Sequence, residues 1–192
     1  MLDADQQRAV AEGLAAGRVE AWAALYDAFA DDVWRYAARL LGGDRESVGD
    51  VVQETLMAAA RSAHSFDPAR GALRSWLFGI VHLQVAQHWR RRGREARADE
   101  RGAQNEDGTA HGTSDPPAAL LRREQAEHVR RVLAEMPADY AWLLVAKYVD
   151  ERPIAAIVGE LSAGSEAVRS KLARARRLFR TAMSRRRVGS ET

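Results

Sequence analysis

Apolar residues recur at steps of three and four along most of this chain, which is the spacing of one face of an α-helix. One stripe runs from Trp22 to Leu40, a second from Val48 to Ala63, and a third from Leu73 to Val81. No segment alternates apolar and polar residues convincingly over the length of a strand. The sequence therefore predicts an all-α fold.

Turn-forming residues separate these stripes. Gly42 and Gly43 end the first helix, and FDPARG at residues 66–71 supplies proline and glycine before the third, which we expect to end near Arg92. Three amphipathic helices joined by short turns form a bundle. We therefore expect a first small helical domain over residues 1–92.

The stretch from Gly93 to Pro117 has almost no large apolar side chain and is rich in Gly, Asp and Glu. Such a segment cannot bury enough surface to offset the entropy lost on ordering it. It is therefore predicted to be a flexible linker over residues 93–117. A second small helical domain would occupy residues 118–187, and residues 188–192 would form a tail.

The second domain has the pattern of a helix-turn-helix. DYAWLLVAKYV at residues 139–149 is apolar on nearly all sides, so this helix should lie at the domain centre. A short helix near Pro153 to Leu161 is followed by the break SAGS and a long basic helix, which Ser165 would cap. Two helices that pack across a tight turn have the form of a helix-turn-helix.

Positive charge is concentrated on that last helix. Residues 164–187 carry nine Lys or Arg and a single acid, Glu166, whereas residues 1–67 contain twelve acids against six bases. Sorted charge of this kind suggests separate partners, and nucleic acid suits the basic face. In a helix-turn-helix the first turns of the second helix meet base edges in the major groove, and phosphate contacts lie further along. The side chains available for this are those of Ser165, Glu166, Arg169, Ser170, Lys171, Arg174, Arg176 and Arg177.

A basic amphipathic helix at a membrane surface is a competing interpretation, but such a helix does not require the short partner helix and turn. The chain has no cysteine and no apolar run of the roughly 18 residues that cross a bilayer. It also lacks a phosphate loop, a dinucleotide-binding turn and a zinc-protease motif, and its histidines are scattered. We expect a cytoplasmic protein with no membrane partner, catalytic residue, metal, cofactor or small-molecule substrate.

At this point the residues resemble a known family. VRSKLARARR, after a short helix and a turn, resembles the minus 35 reading half of bacterial sigma factors of the extracytoplasmic-function (ECF) group, in the sigma-70 family. Independently, ALYDAFADDVWRYAARLLGG, ESVGDVVQETLMAAA and FDPARGALRSWLFGI resemble, in order and spacing, the second conserved region of that group. The two matches cover most of residues 20–182.

The resemblance implies core RNA polymerase and promoter DNA as partners. The helix that carries DVVQET would dock on the clamp-helix coiled coil of the largest polymerase subunit, through Asp50, Val51, Gln53, Glu54 and Met57. The turn at residues 64–71 and the third helix would hold and melt the minus 10 element. The residues available for this are Phe66, Arg70, Arg74, His82, His88, Arg90, Arg91 and Arg92. His82-Leu83 stands where the family often has Arg-Asn, so a base preference at minus 10 does not transfer by analogy.

The alternative is a free-standing helix-turn-helix regulator, which would bind duplex DNA without polymerase and would not need the DVVQET helix. No ligand-sensing or phosphate-receiving domain is evident, so control would act through expression or through a partner such as an anti-sigma factor. Promoter elements two helical turns apart lie about 70 Å from each other. An extended linker over residues 93–117 would reach roughly 80 to 90 Å, enough to place one domain on each element.

Overall fold

The computed structural model describes residues 2, 4–67, 71–103, 117–161 and 163–188. Over these residues the chain contains no strand, which confirms the all-α prediction. Its helices are α1 (Ala4–Ala15), α2 (Val19–Leu41), α3 (Arg45–Ser62), α4 (Leu73–Ala103), α5 (Pro117–Glu135), α6 (Ala138–Leu144), α7 (Ile154–Leu161) and α8 (Ser165–Val188). A 3-10 turn (Ala63–Ser65) follows α3, and α6 continues as one turn of π-helix (Val145–Val149).

Helices α2, α3 and α4 form the first bundle, and they pack through the predicted apolar stripes. Leu25 and Val33 of α2, Val48 of α3 and Leu77 of α4 are fully buried in its core. The additional helix α1 packs along α2. Burial of these aliphatic side chains is the main stabilising term of such a bundle, at roughly 1.5 to 3 kcal/mol for each large side chain.

Gly42 ends α2 and fixes how the chain leaves it. Its φ of 93° is left-handed, and its amide donates to the carbonyl of Ala38 at 2.9 Å, which closes the helix end. A Cβ at this position would lie 2.9 Å from Nη1 of Arg130 on α5. Glycine is therefore required here by the backbone angle, whereas the Arg130 side chain could move aside for a Cβ.

Helices α5 to α8 form the second bundle around α6, as the all-round apolar pattern predicted. Residues 141–146 are buried at its centre. Helix α7 packs on α8, with Ile157 of α7 and Val168 and Leu172 of α8 turned inward. The α7, turn and α8 segment has the predicted order of a helix-turn-helix.

The third predicted helix is longer than the sequence suggested. Helix α4 continues to Ala103, past the predicted end near Arg92, so the expected linker over residues 93–117 is wrong for its first part. The prediction weighed the absence of apolar residues and underrated the Arg, Glu and Ala content of residues 94–101, which favours helix without burial. Residues 104–116 of the expected linker lie outside the described residues.

The two bundles pack against each other rather than standing apart. Helix α4 contacts α5 and α6, α2 contacts α5, and the buried apolar residues of both bundles form one continuous cluster. Within the described ranges, no helix is both long enough and apolar enough to span a membrane. The separated arrangement that two distant DNA elements require is therefore not the one observed.

Candidate nucleic-acid and protein interfaces

Helix α8 presents a basic face on the side opposite its core contacts. Val168, Leu172 and Ala175 are buried against the second bundle, and residues a half-turn away are exposed. The exposed residues of the predicted DNA-reading group are Ser165, Glu166, Arg169, Ser170, Arg174, Arg176 and Arg177. The amide of Val168 donates to the carbonyl of Gly164 at 3.1 Å, so Gly164 takes the capping position that we predicted for Ser165.

Two members of the predicted group lie at the flank of α8 and contact the second bundle. Lys171 Nζ lies 2.6 Å from Oδ2 of Asp139, and Arg176 Nη1 donates to the Tyr148 hydroxyl at 3.3 Å. Both cations are therefore held by side chains of the second bundle. Glu166, Ser170, Arg174 and Arg177 lie nearest the centre of the exposed face of α8. Arg169 lies at its edge, on the same side of the helix as Arg176.

Helix α3 carries most of the predicted protein-docking residues on one exposed face. Asp50, Gln53 and Met57 are exposed at steps of three and four, and Met57 leaves half of its surface open to solvent. Glu54 lies beside them, 3.6 Å from Nη1 of Arg91. Methionine is enriched at protein interfaces, so this exposed face is a candidate protein-binding surface.

The structure corrects the prediction that Val51 belongs to the docking group. It is fully buried in the first bundle, and its carbonyl accepts a hydrogen bond from the Thr55 hydroxyl at 2.7 Å. Val51 belongs to the apolar stripe that packs α3, one hundred degrees around the helix from Asp50. It packs beneath the exposed residues of α3 and does not join them.

Two aromatic rings line a small cavity at the start of α4. The rings of Phe66 and Trp76 lie 5.3 Å apart between centroids, at an angle of 52°. A cavity of about 340 Å³ opens beside them and is lined by Ser65, Phe66, Asp67, Gly71, Ala72, Ser75 and Trp76. Its size and aromatic walls suit a single unstacked base. Arg70, the predicted cation of this turn, lies outside the described residues.

Arg74 and His82, two further predicted minus 10 residues, are covered in this arrangement. Arg74 lies 3.1 Å from Oε2 of Glu160 on α7, with only 11% of its side chain exposed. His82 is buried, with Nε2 2.7 Å from the Met136 carbonyl and Nδ1 3.1 Å from the Tyr36 hydroxyl. Both side chains face the second bundle, so neither is open to DNA while the bundles are packed.

The remaining predicted cations lie further along α4. Arg90, Arg91 and Arg92 are exposed, and Arg92 lies over the Trp89 ring at 5.5 Å. His88 is half-buried, and its pKa is lowered from the ordinary value, first by burial and then by Arg91 and Arg92. A neutral His88 leaves the three arginines as the charged group of this segment.

The described residues contain no group of three or more His, Cys, Asp or Glu side chains that would hold a metal ion. The contact residues that the sequence analysis missed are Trp142, Arg152 and Glu160, which surround Arg74. Glu160 is the one acid in the apolar segment IAAIVGEL. That isolated charge is the sequence feature that could have identified it as a contact residue. An acid in an apolar helix indicates a buried partner, although it does not identify that partner.

Comparison with known proteins decides the family. The family description Sigma-70 region 2 matches residues 25–95, and Sigma-70, region 4 matches residues 126–179. The ECF RNA polymerase sigma factor SigL of Mycobacterium tuberculosis is 31% identical over 169 residues, which cover 88% of this chain and 92% of SigL. The chain belongs to the ECF sigma factors of the sigma-70 family.

Other relatives of this sigma factor extend over similar lengths. The ECF RNA polymerase sigma factor SigW of Bacillus subtilis is 25% identical over 172 residues, which cover 81% of this chain and 91% of SigW. Among solved structures, CnrH in complex with the cytosolic domain of CnrY aligns with a TM-score of 0.47 at 23% identity, and the alignment covers 95% of this chain and 98% of the other. The two family regions correspond to the first bundle and the second bundle of this sigma factor.

Acid should weaken the packing around His82. A carbonyl only accepts hydrogen bonds, so Nε2 of His82 carries the proton toward Met136, and Nδ1 of the neutral ring accepts from Tyr36. Burial is the largest cause that lowers the pKa of His82, and it outweighs the opposing effects of the Met136 and Ala134 carbonyls and of Asp139. The folded state therefore favours the neutral ring, whereas the unfolded chain takes up a proton at the ordinary pKa.

The stability due to His82 should be complete above its ordinary pKa of 6.5 and should fall as the pH drops from there toward the depressed value. Urea unfolding at about pH 7.5 and about pH 5.5 measures the difference in unfolding free energy. His82→Gln should show a smaller loss on acidification, and the remaining loss would come from other groups such as His88. Equal losses in the two proteins would contradict the assignment.

Proposed function

We propose that this sigma factor binds core RNA polymerase through α3, reads the minus 35 element with α8 and opens the minus 10 element with the start of α4. The observation that carries the proposal is the occurrence of both sigma regions, in order, on one chain whose α8 exposes a basic face. The boundary between the polymerase-binding and minus 10 half of the chain and its minus 35 half would lie between Ala103 and Pro117. RNA synthesis itself would belong to the polymerase, in the cytoplasm.

The sorted charge supports this division of roles. The acidic excess of residues 1–67 suits a basic protein partner, whereas Arg169, Arg174 and Arg177 of α8 suit a polyanion. Arginine bonds guanine bidentately, and glutamate accepts from cytosine, so Arg169 and Glu166 in the first turns are the best candidates for base reading. Arg174 and Arg177, further along, are better suited to phosphates.

Transcription with core polymerase tests the function directly. The purified protein, core bacterial RNA polymerase and a pool of genomic promoter fragments should give transcripts with defined starts that share two spaced motifs. If the protein joined no polymerase and started no transcripts, but shifted duplex DNA by itself, the free-standing regulator would replace the proposal. We expect an anti-sigma factor to bind these same interfaces.

Charge reversal on α3 should separate docking from folding. Asp50→Arg combined with Met57→Ala should weaken association with core polymerase by at least about tenfold, because like charges placed opposite each other cost several kcal/mol. Both side chains are exposed, so helix content measured by circular dichroism should be unchanged. Glu12→Arg, at an exposed position of α1, makes the same charge change away from the docking face and should bind normally. Normal polymerase binding by the double variant would refute the docking assignment.

Substitutions on α8 should separate base reading from phosphate contact. Arg169→Ala should cost about 1 to 3 kcal/mol at the cognate minus 35 site and relax the preference at one base. Arg174→Ala, the matched control, should weaken binding about equally for all sequences and reduce its salt dependence. Holoenzyme binding to a library of minus 35 variants measures both effects. Unchanged selectivity in Arg169→Ala would remove Arg169 from the reading group.

A further inference from the structure

The last turns of α4 carry a row of arginines on one side of the helix. Four exposed arginines follow one another at steps of four, three and four residues, so they lie within about 60° of arc. These residues, named here the arginine row, are Arg90, Arg94, Arg97 and Arg101. At about 1.5 Å per residue the row is about 16 Å long. The exposed acid Glu95 lies about 100° or more around the helix from every member of the row.

Packing does not account for the row. Residues 94–98 are all exposed, so this part of α4 buries no apolar side chain. The helix dipole favours a cation in the last turn, which accounts for Arg101 but not for the other three members. Like charges three and four residues apart repel each other and weaken the helix that carries them. The row therefore has an electrostatic cost that a negatively charged partner would offset.

The arginines beside the row have partners within the protein. Nη1 of Arg91 lies 3.6 Å from Oε1 of Glu54, and Arg92 lies 5.5 Å from the centre of the Trp89 ring. In the part of the chain that the structure describes, no member of the row forms an ion pair or a ring contact. The guanidinium groups of the row are therefore available to an external anion.

The DNA between the two promoter elements has the charge and the position to fit the row. Duplex DNA carries one phosphate per about 3.4 Å on each strand, so the row is as long as about five phosphates. The row starts in the predicted minus 10 group, at Arg90, whereas Arg97 and Arg101 lie between the residues matched to the two sigma regions. The duplex that runs from one element to the other would therefore pass beside them.

We propose that the arginine row binds the phosphate backbone of the duplex between the minus 35 and minus 10 elements, whatever its sequence. A helix in the major groove is flanked by both strands, and Glu95 would then approach a phosphate. A helix alongside one strand turns the row toward the phosphates and keeps Glu95 away from them. Phosphate contacts of this kind position a protein without reading bases. The inference rests on the proposed function, which supplies the two elements.

A triple variant tests the row in the free protein. Arg94→Gln, Arg97→Gln and Arg101→Gln remove three charges, and glutamine favours helix about as well as arginine does. Arg90 is kept because it belongs to the predicted minus 10 group. Circular dichroism should show no loss of helix, since the repulsion within the row is reduced.

Fluorescence anisotropy of a labelled duplex of about 30 base pairs and arbitrary sequence measures binding as salt is raised. The triple variant should bind at least about tenfold more weakly at low salt. The slope of log affinity against log salt should become shallower by about 0.9 for each lost phosphate contact, hence by about 2 to 3. An unchanged slope would overturn the proposal.

Two controls separate the row from net charge and from strand type. Arg8→Gln, Arg45→Gln and Arg61→Gln remove the same three charges from exposed positions of α1 and α3, and this variant should keep the wild-type salt slope. Oligo(dT) replaces the duplex in the second control. A larger loss of affinity for oligo(dT) than for the duplex would show that the row follows a single strand, and it would overturn the duplex assignment.

Neutral phosphates test the position of the row on a promoter. Transcription with core polymerase defines the promoter, and methylphosphonates then replace about five consecutive phosphates upstream of the minus 10 element, in each strand in turn. One of the two modified promoters should weaken binding by the wild-type holoenzyme, formed with saturating sigma factor. The triple variant should lose little more on that promoter, because both changes remove the same contacts. Methylphosphonates upstream of the minus 35 element should affect both proteins equally.

Additive losses from the neutral phosphates and the triple variant would overturn the proposal, because the row would then contact another part of the DNA. The duplex measurement with the free protein uses no polymerase. If the triple variant lost duplex affinity but the wild-type protein started no transcripts with core polymerase, the proposed function would be refuted, and with it the position between the elements. The row would still stand as a surface that binds duplex DNA.

Discussion

A buried guanidinium must be neutralised, and that constraint fixes how the two halves of this protein meet. Burial lowers the pKa of Arg74, and the facing Glu160 opposes this effect by favouring the charged form. Glu160 also accepts hydrogen bonds from Arg152, and these raise the pKa of Arg152. The contacts among Arg74, Glu160 and Arg152 therefore position α7 against α4. The His82 contact with Met136 and the shared apolar core lie along the same seam.

A contact of this kind contributes more to arrangement than to stability. Removing two charges from water costs several kcal/mol for each ion, and the attraction between them repays this cost only with good geometry. Apolar residues of similar volume would hold the bundles together at least as well. The ion pairs, the histidine contact and the aromatic rings of this seam instead specify which residues of the two bundles meet.

The local pattern of the sequence predicted helices α2 to α8 and their inner faces, though not α1, because periodicity is a property of each segment alone. The end of α4 was missed because Arg94 to Arg101 favour helix without burying apolar surface. Val51 was assigned by motif, although its place in the apolar stripe already indicated burial. Arg74 and Glu160 are far apart in sequence, and neither segment on its own indicates which distant charged residue will be its partner. Such contacts depend on how two amphipathic units pack, which local spacing does not encode.

The packing of the two bundles leaves the predicted site residues unequally accessible. Asp50, Gln53 and Met57 of α3 are exposed, whereas Arg74 and His82 face the second bundle. Exposed cations attract any polyanion, because phosphate contacts carry no sequence information. Arg74 is paired with Glu160 in this arrangement, so it adds nothing to the exposed positive charge of the first bundle.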